Sequence, residues 1–310
     1  MDYPAPTRLT SPLLTLPDLA GRRAVVTGGA SGLGLVTTRT FALQGADVII
    51  GARDVTKAEA ARAHLLAEHD LSAGKITVAE LDLIDPDSIE RFAGMAAGAP
   101  MDLLVLNAGI SSVPLRHDRN GIESQFATNH LGHFALAARL LPSLEQGTDP
   151  RVVTVSSALY AAAKLDLEDL ASSSRYSPGR AYNRSKLANV MFALELGRRL
   201  AESGSSVRSF AAHPGMARTP LHTTYPSVAT RVMTRIIAGA IGREPGPADV
   251  GVLTAALHPD ASPELFWGPT GSKTHPDAVG DWFKPVATDL GAAVSLWEVS
   301  ERLTGTRIAM

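Results

Sequence analysis

Apolar positions along this chain recur with two periods, and the two take turns. Short runs rich in Val, Ile, Leu and Thr at 24–27, 47–50, 76–81, 101–106, 152–157 and 207–211 read as strands; apolar residues three and four apart at 35–43, 56–69, 85–97 and 121–145 read as helices. Strands alternating with helices predict crossover units, hence an α/β fold with a doubly wound parallel sheet of about seven strands and helices on both faces. The run at 101–106 is almost wholly apolar, as a strand covered on both sides must be. Residues 265–271 supply the last strand and 285–303 a closing helix, all within one domain over 19–310.

The first strand runs directly into glycines. Gly28, Gly32 and Gly34 follow Thr27 in a Gly-x-x-x-Gly-x-Gly spacing before helical periodicity begins. Without side chains such a turn lets a dinucleotide pyrophosphate approach backbone amides at a helix N-terminus, which makes the fold Rossmann-type and the turn a nucleotide site. Where the second strand ends, an acid would hold ribose hydroxyls; here Gly51, Ala52 and Arg53 come first, with no carboxylate until Asp54. An arginine grips phosphate through two parallel hydrogen bonds, so the expected cofactor is NADP(H) in preference to NAD(H). Asp82 closes the third strand where a loop would border adenine, and Asn107, Ala108 and Gly109 close the fourth. Asn107 is open to two readings, contact with the cofactor or anchorage of neighbouring backbone.

Candidate chemistry centres on Tyr182 and Lys186, four apart at a helix start and so on one face. A phenol titrates near pH 10 and needs a neighbouring cation to exchange protons at neutral pH, which the lysine supplies. The strand at 152–157 brings Ser156 and Ser157 to the carboxyl edge of the sheet, where open α/β sheets bind ligands. His130 and His133, beside Asn129, have a spacing that metal sites also use, but no further ligand cluster accompanies them, so no metal is expected. His213, before Pro214 and Gly215, reads as structural. Residues 216–245 mix Pro220, His222 and Tyr225 with a helical apolar stripe and have the composition of a substrate lid, or equally of ordinary core.

Composition narrows the setting. The chain has 310 residues, a net charge of −2 and no cysteine, which excludes thiol chemistry and disulfides and gives no electrostatic reason to expect nucleic acid or membrane as a partner. Residues 1–18, with Pro4, Pro6, Pro12 and Pro17, read as an extended arm without a signal or anchor, so cytoplasm is the default location.

Together these motifs resemble the short-chain dehydrogenase/reductase family over roughly 19–220: Thr27 to Gly34 as its glycine turn, Asp82, the Asn107-Ala108-Gly109 triplet, and Asn129, Ser157, Tyr182 and Lys186 in the order of its catalytic residues. The segment Asn129 to Phe134, the residues around Tyr182 and the tail Leu296 to Ser300 are similar to the branch containing retinol dehydrogenases, protochlorophyllide reductases and the WW-domain oxidoreductase. The resemblance implies hydride transfer between NADP(H) and a carbonyl or alcohol carbon of a fairly apolar small molecule. Tyr182 would be its general acid/base, Ser157 would hold the reacting oxygen, Lys186 would bind ribose and lower the phenol pKa, and Asn129 would anchor a relay water. Ser31, Leu33, Leu83, Pro214, Gly215 and Thr219 join the implied cofactor contacts. A catalytically silent nucleotide-binding regulator on the same fold is the alternative, and a homo-oligomer is left open.

Overall fold

The computed structural model describes residues 6–9, 16–172, 175–215, 245–271, 274 and 276–310. Its strands are β1 (Thr7–Leu9), β2 (Arg23–Thr27), β3 (Asp47–Ala52), β4 (Ile76–Glu80), β5 (Leu103–Leu106), β6 (Arg151–Val155), β7 (Arg208–Ala212), β8 (Leu265–Gly271) and β9 (Pro276–Trp282). They form one sheet in the order β1-β9-β8-β7-β6-β5-β2-β3-β4. From β8 to β4 every pairing is parallel; β9 and β1 are added antiparallel at one edge.

The sheet therefore has nine strands where about seven were expected. β9 escapes the apolar pattern because it opens on Pro276 and carries Ala278 and Gly280 at inward positions, small residues that alternate in burial but not in hydrophobicity. β1 is three residues long, too short for any period to register.

Alternation within each strand shows why the runs are apolar throughout. In β5, Leu103 and Val105 pack with Phe41, Ile50 and Val252 on one side, while Leu104 and Leu106 pack with Phe92, Phe134 and Phe192 on the other. The first side is covered by α1 (Gly32–Leu43), α2 (Val55–His69) and, beyond the short α7 (Pro245–Ala248), α8 (Val250–Leu257). The second is covered by α3 (Pro86–Ala96), α5 (Gly132–Leu144), α6 (Pro178–Glu202) and α9 (Leu290–Thr304), with α4 (Ser124–Phe126) leading into α5 through a π-helical turn, Ala127–Leu131.

Helix ends follow their caps. Glu123 starts α4 by accepting hydrogen bonds from the amides of Gln125 and Phe126. The closing helix begins at Leu290 instead of 285, because Asp289 accepts from Ala292 N at 3.0 Å and Pro285–Ala287 forms a separate 3-10 turn. No helix among the described residues is long and apolar enough to cross a membrane. The expected lid over 216–245, apart from Pro245 at its end, lies outside the described residues, as does Thr219.

Candidate active site

In sheet order β2 lies between β3 and β5, so the chain leaves β2 toward one side and β5 toward the other, and a crevice opens past their carboxyl ends. A cavity of about 480 Å³ occupies it, lined by Gly28, Ser31, Gly32 and Leu33 from the glycine turn and by Arg53, Asp82 and Leu83 from the ends of β3 and β4. Asn107, Ala108 and Gly109 form its floor, and Ser156, Tyr182, Lys186 and Pro214 its far wall.

The glycine turn is locked from beneath. Thr27 Oγ accepts hydrogen bonds from the amides of Asn107 and Ala108, both at 2.9 Å, and the Asn107 side chain donates to the Thr27 carbonyl at 2.8 Å. The Asn107 amide group anchors backbone, and the residue also lines the cavity. Gly28 has φ +66°, and a Cβ on Gly34 would lie 2.5 Å from both Asn107 Nδ2 and the Gly28 carbonyl, so Gly34 packs beneath the turn and does not line the cavity. Ser31 stands at the N-cap of α1 in extended backbone and makes no side-chain hydrogen bond to the first-turn amides. Those amides, at the positive end of a helix, fit a pyrophosphate.

At the other end Asp54 caps α2, accepting from Lys57 N at 2.9 Å, which turns the first carboxylate after β3 toward its own helix. Arg53 and Lys57 are both exposed, line the cavity and form no ion pair among the described residues. Lys57 is a cavity residue that the sequence reading did not single out; the available signal was its place one turn after Arg53. Asp82 is held by the Ile84 amide, 3.2 Å from its carboxylate.

On the far wall α6 carries Tyr182 and Lys186 on one face, the ammonium 5.8 Å from the phenol ring centre. Lys186 Nζ donates to the Val155 carbonyl at 3.0 Å, and burial pushes its pKa from 10.5 to about 8. Asn129 does not line the cavity. Its side chain donates to the Ile110 carbonyl and Ser185 Oγ at 2.9 Å and accepts from the Ile110 amide at 2.8 Å, tying the floor to α6. The two serines divide differently from expectation. Ser156, which lines the cavity, donates to the Lys186 carbonyl at 2.7 Å, whereas Ser157 lies outside the lining and accepts from Leu159 N at 3.3 Å as the cap of a 3-10 turn.

Other candidates have structural partners. His213 Nδ1 accepts from Gly215 N at 3.0 Å and the ring packs 4.6 Å from Phe266; Gly215 itself is not a lining residue. His130 and His133 are buried, and no group of three or more His, Cys, Asp or Glu among the described residues could hold a metal. Tyr176 donates to Val113 O at 2.6 Å beside the cavity, and burial pushes its pKa up to about 12.

The comparisons with known proteins agree with this geometry. The family model described as short chain dehydrogenase matches residues 22–228. Retinol dehydrogenase 12 of Homo sapiens is 36% identical over 294 residues, 94% of this chain and 88% of its own. Retinol dehydrogenase 14 of Mus musculus is 35% identical over 297 residues, 92% of this chain and 86% of its own. The crystal structure of an uncharacterized protein from Mycobacterium paratuberculosis is 40% identical, covers 98% of this chain and 100% of its own, and superposes with a TM-score of 0.77. A family match over most of the chain, near full-length relatives and the cleft where the sheet changes direction lead to one conclusion: this chain belongs to the short-chain dehydrogenase family of oxidoreductases.

Proposed function

We propose that this protein interconverts a carbonyl and an alcohol on a fairly apolar small molecule, with NADP(H) as hydride carrier and Tyr182 as general acid/base. The observation that carries the reading is Lys186: a buried cation on the face of α6 that bears Tyr182, at the end of a cavity whose opposite end is basic. A buried ammonium costs stability, and a scaffold would have no use for it. When bound, NADP(H) supplies or accepts the hydride. The first-turn amides of α1 would hold its pyrophosphate, Arg53 and Lys57 its 2′-phosphate, and Gly109, Lys186 and Pro214 would border its nicotinamide half. Tyr182 protonates the carbonyl oxygen or deprotonates the alcohol; the field of Lys186 favours the phenolate, which brings the phenol into working range. Asn129 holds the floor at Ile110, and Ser157, at the start of the turn after β6, is assigned to the substrate oxygen.

A screen of aldehydes, ketones and alcohols followed by NADPH absorbance tests this reading. Tyr182→Phe is expected to lower kcat by about 10²–10⁴-fold with cofactor affinity nearly unchanged, since only the proton-transfer hydroxyl is lost. Unchanged turnover in that variant refutes the acid/base assignment. Arg53→Ala should weaken NADPH binding about tenfold and leave NADH binding alone; calorimetry showing equal losses for both would remove the NADP preference.

A further inference from the structure

Two buried histidines lie three residues apart, and their surroundings differ. His133 Nδ1 is 3.0 Å from the Asn129 carbonyl and its Nε2 2.9 Å from Thr27 Oγ. A carbonyl only accepts, so Nδ1 must carry the proton. In a neutral ring Nε2 is then an acceptor. Thr27 Oγ already accepts from two amides, those of Asn107 and Ala108, and its own hydrogen has two outlets: the Val105 carbonyl at 3.4 Å and His133 Nε2 at 2.9 Å. The shorter one completes the set.

These bonds close a ring. Thr27 grips residues 107 and 108, the Asn129 side chain grips Ile110 through both its amide and its carbonyl, and the Asn129 backbone is joined through the His133 ring back to Thr27. Inside it lies Gly109, whose Cβ position would be 3.1 Å from Asn129 Oδ1 and 3.7 Å from Lys186 Nζ. The π-helical turn Ala127–Leu131 sits beside it, where Gly132 N bonds to Ala127 O and the ordinary helical register is broken. Within this turn the His133 ring N–H adds a side-chain donor to the Asn129 carbonyl.

We propose that His133 is a positioning residue whose ring, protonated on Nδ1, joins Thr27 to Asn129 and so clamps residues 107–110 at both ends against the Tyr182 and Lys186 pair. Its role in turnover rests on the oxidoreductase reading above; its role in clamping the floor does not. The ring is neutral, consistent with burial and the nearby Lys186 ammonium, which push the imidazole down to about 3. A cation there would repel Lys186.

The test compares three full-length variants. His133→Asn keeps an N–H near the Nδ1 position, His133→Gln places its amide toward Nε2, and His133→Phe removes both bonds. Expected is a kcat for His133→Phe lowered on the order of tenfold or more, with KM for NADPH changed less than about threefold, and smaller losses in His133→Asn and His133→Gln, each of which keeps one end of the link. Amide exchange should quicken at both Ala108 and Ile110 in His133→Phe, chiefly at Ala108 in His133→Asn, which loses the bond to Thr27, and chiefly at Ile110 in His133→Gln, which loses the bond to Asn129. The nitrogen resonances of the His133 ring in the wild type should show Nδ1 protonated and Nε2 bare. Equal kcat in all four proteins, exchange at Ala108 and Ile110 unchanged from wild type in all three variants, or the opposite tautomer would overturn the proposal. If His133→Phe does not fold, the Asn and Gln pair decides. If the wild type reduces no carbonyl, the exchange and tautomer readouts still decide on the clamp, while the oxidoreductase reading falls separately.

Discussion

On the β2 side of the cleft, Thr27, Asn107 and Ala108 satisfy one another through short bonds within a neutral, small-residue framework, and a methyl group has no room at Gly34. On the α6 side, an ammonium is held away from water by a hydrogen bond to the Val155 carbonyl. The first wall is built from interactions that stabilise the fold; the second holds a charge that opposes it. The lesson is that shape and chemistry are kept apart here, so substitutions on the two walls should fail differently.

The largest contrast is expected from Lys186→Met. Turnover should fall on the order of 10²–10⁴-fold, yet the variant should be more stable than wild type at pH 7, because the desolvation of the ammonium disappears. Val155 O keeps a donor in Asn189 Nδ2 at 3.3 Å. The sign is fixed by the direction of the shift. A lysine lowered from 10.5 to about 8 binds its proton more weakly in the fold than unfolded, so the penalty is complete below pH 8 and fades toward pH 10.5. Thermal melts of cofactor-free protein should show the variant's advantage shrinking across that window; a variant that melts lower at pH 7 would break the comparison.

Gly34→Ala should do the reverse. The added methyl would displace Asn107 or the Gly28 carbonyl, costing about 1–3 kcal/mol and weakening cofactor binding on the order of a hundredfold, measured by denaturant unfolding and cofactor titration. Unaltered binding would show that the turn has slack.

The smallest effect sharpens the contrast, because the cofactor side contains one exception. Asp249 at the head of α8 is fully buried, its carboxyl oxygens 3.0 and 3.1 Å from Thr37 Oγ on α1, and burial raises its pKa well above 3.8. Protonated in the fold and ionised in the unfolded chain, it makes stability fall as pH rises from the unfolded carboxylate value toward the folded one. Asp249→Asn keeps an acceptor for the Thr37 hydroxyl and no longer titrates, so it should be more stable by about 1 kcal/mol at neutral pH, with the gain vanishing below pH 4. A gain that persists at low pH would assign the effect to packing instead.

The parts of this molecule that could be read from its sequence are those where one residue type serves one local need. Glycines at a phosphate turn, Arg53 after a strand, and Tyr182 one helical turn from Lys186 all announce themselves by type and spacing. What stayed hidden depends on partners distant in sequence. Lys57 reaches the cavity because Asp54 turns away to cap α2, and His133 acquires its partner Thr27 only when α5 packs under β2. That Ser156 lines the cavity while Ser157 caps a 3-10 turn could not be read from the sequence either, because strand alternation ends at Val155 and the chain then turns. β9 was missed for a related reason: small residues satisfy a tight interior at Gly280, next to Leu265 and Trp267, without looking hydrophobic.

The short β1 also sets what the sheet offers at its β9 margin. It covers only Ala278, Val279 and Gly280 of β9, leaving on either side Pro276, which has no amide to offer, and the charged Asp277 and Asp281. Asp277 further faces Arg8 of β1 at 3.9 Å. An incoming strand at that margin would find only the three residues of β1 to pair with, flanked on β9 by proline and acids, which makes it a poor template for sheet growth.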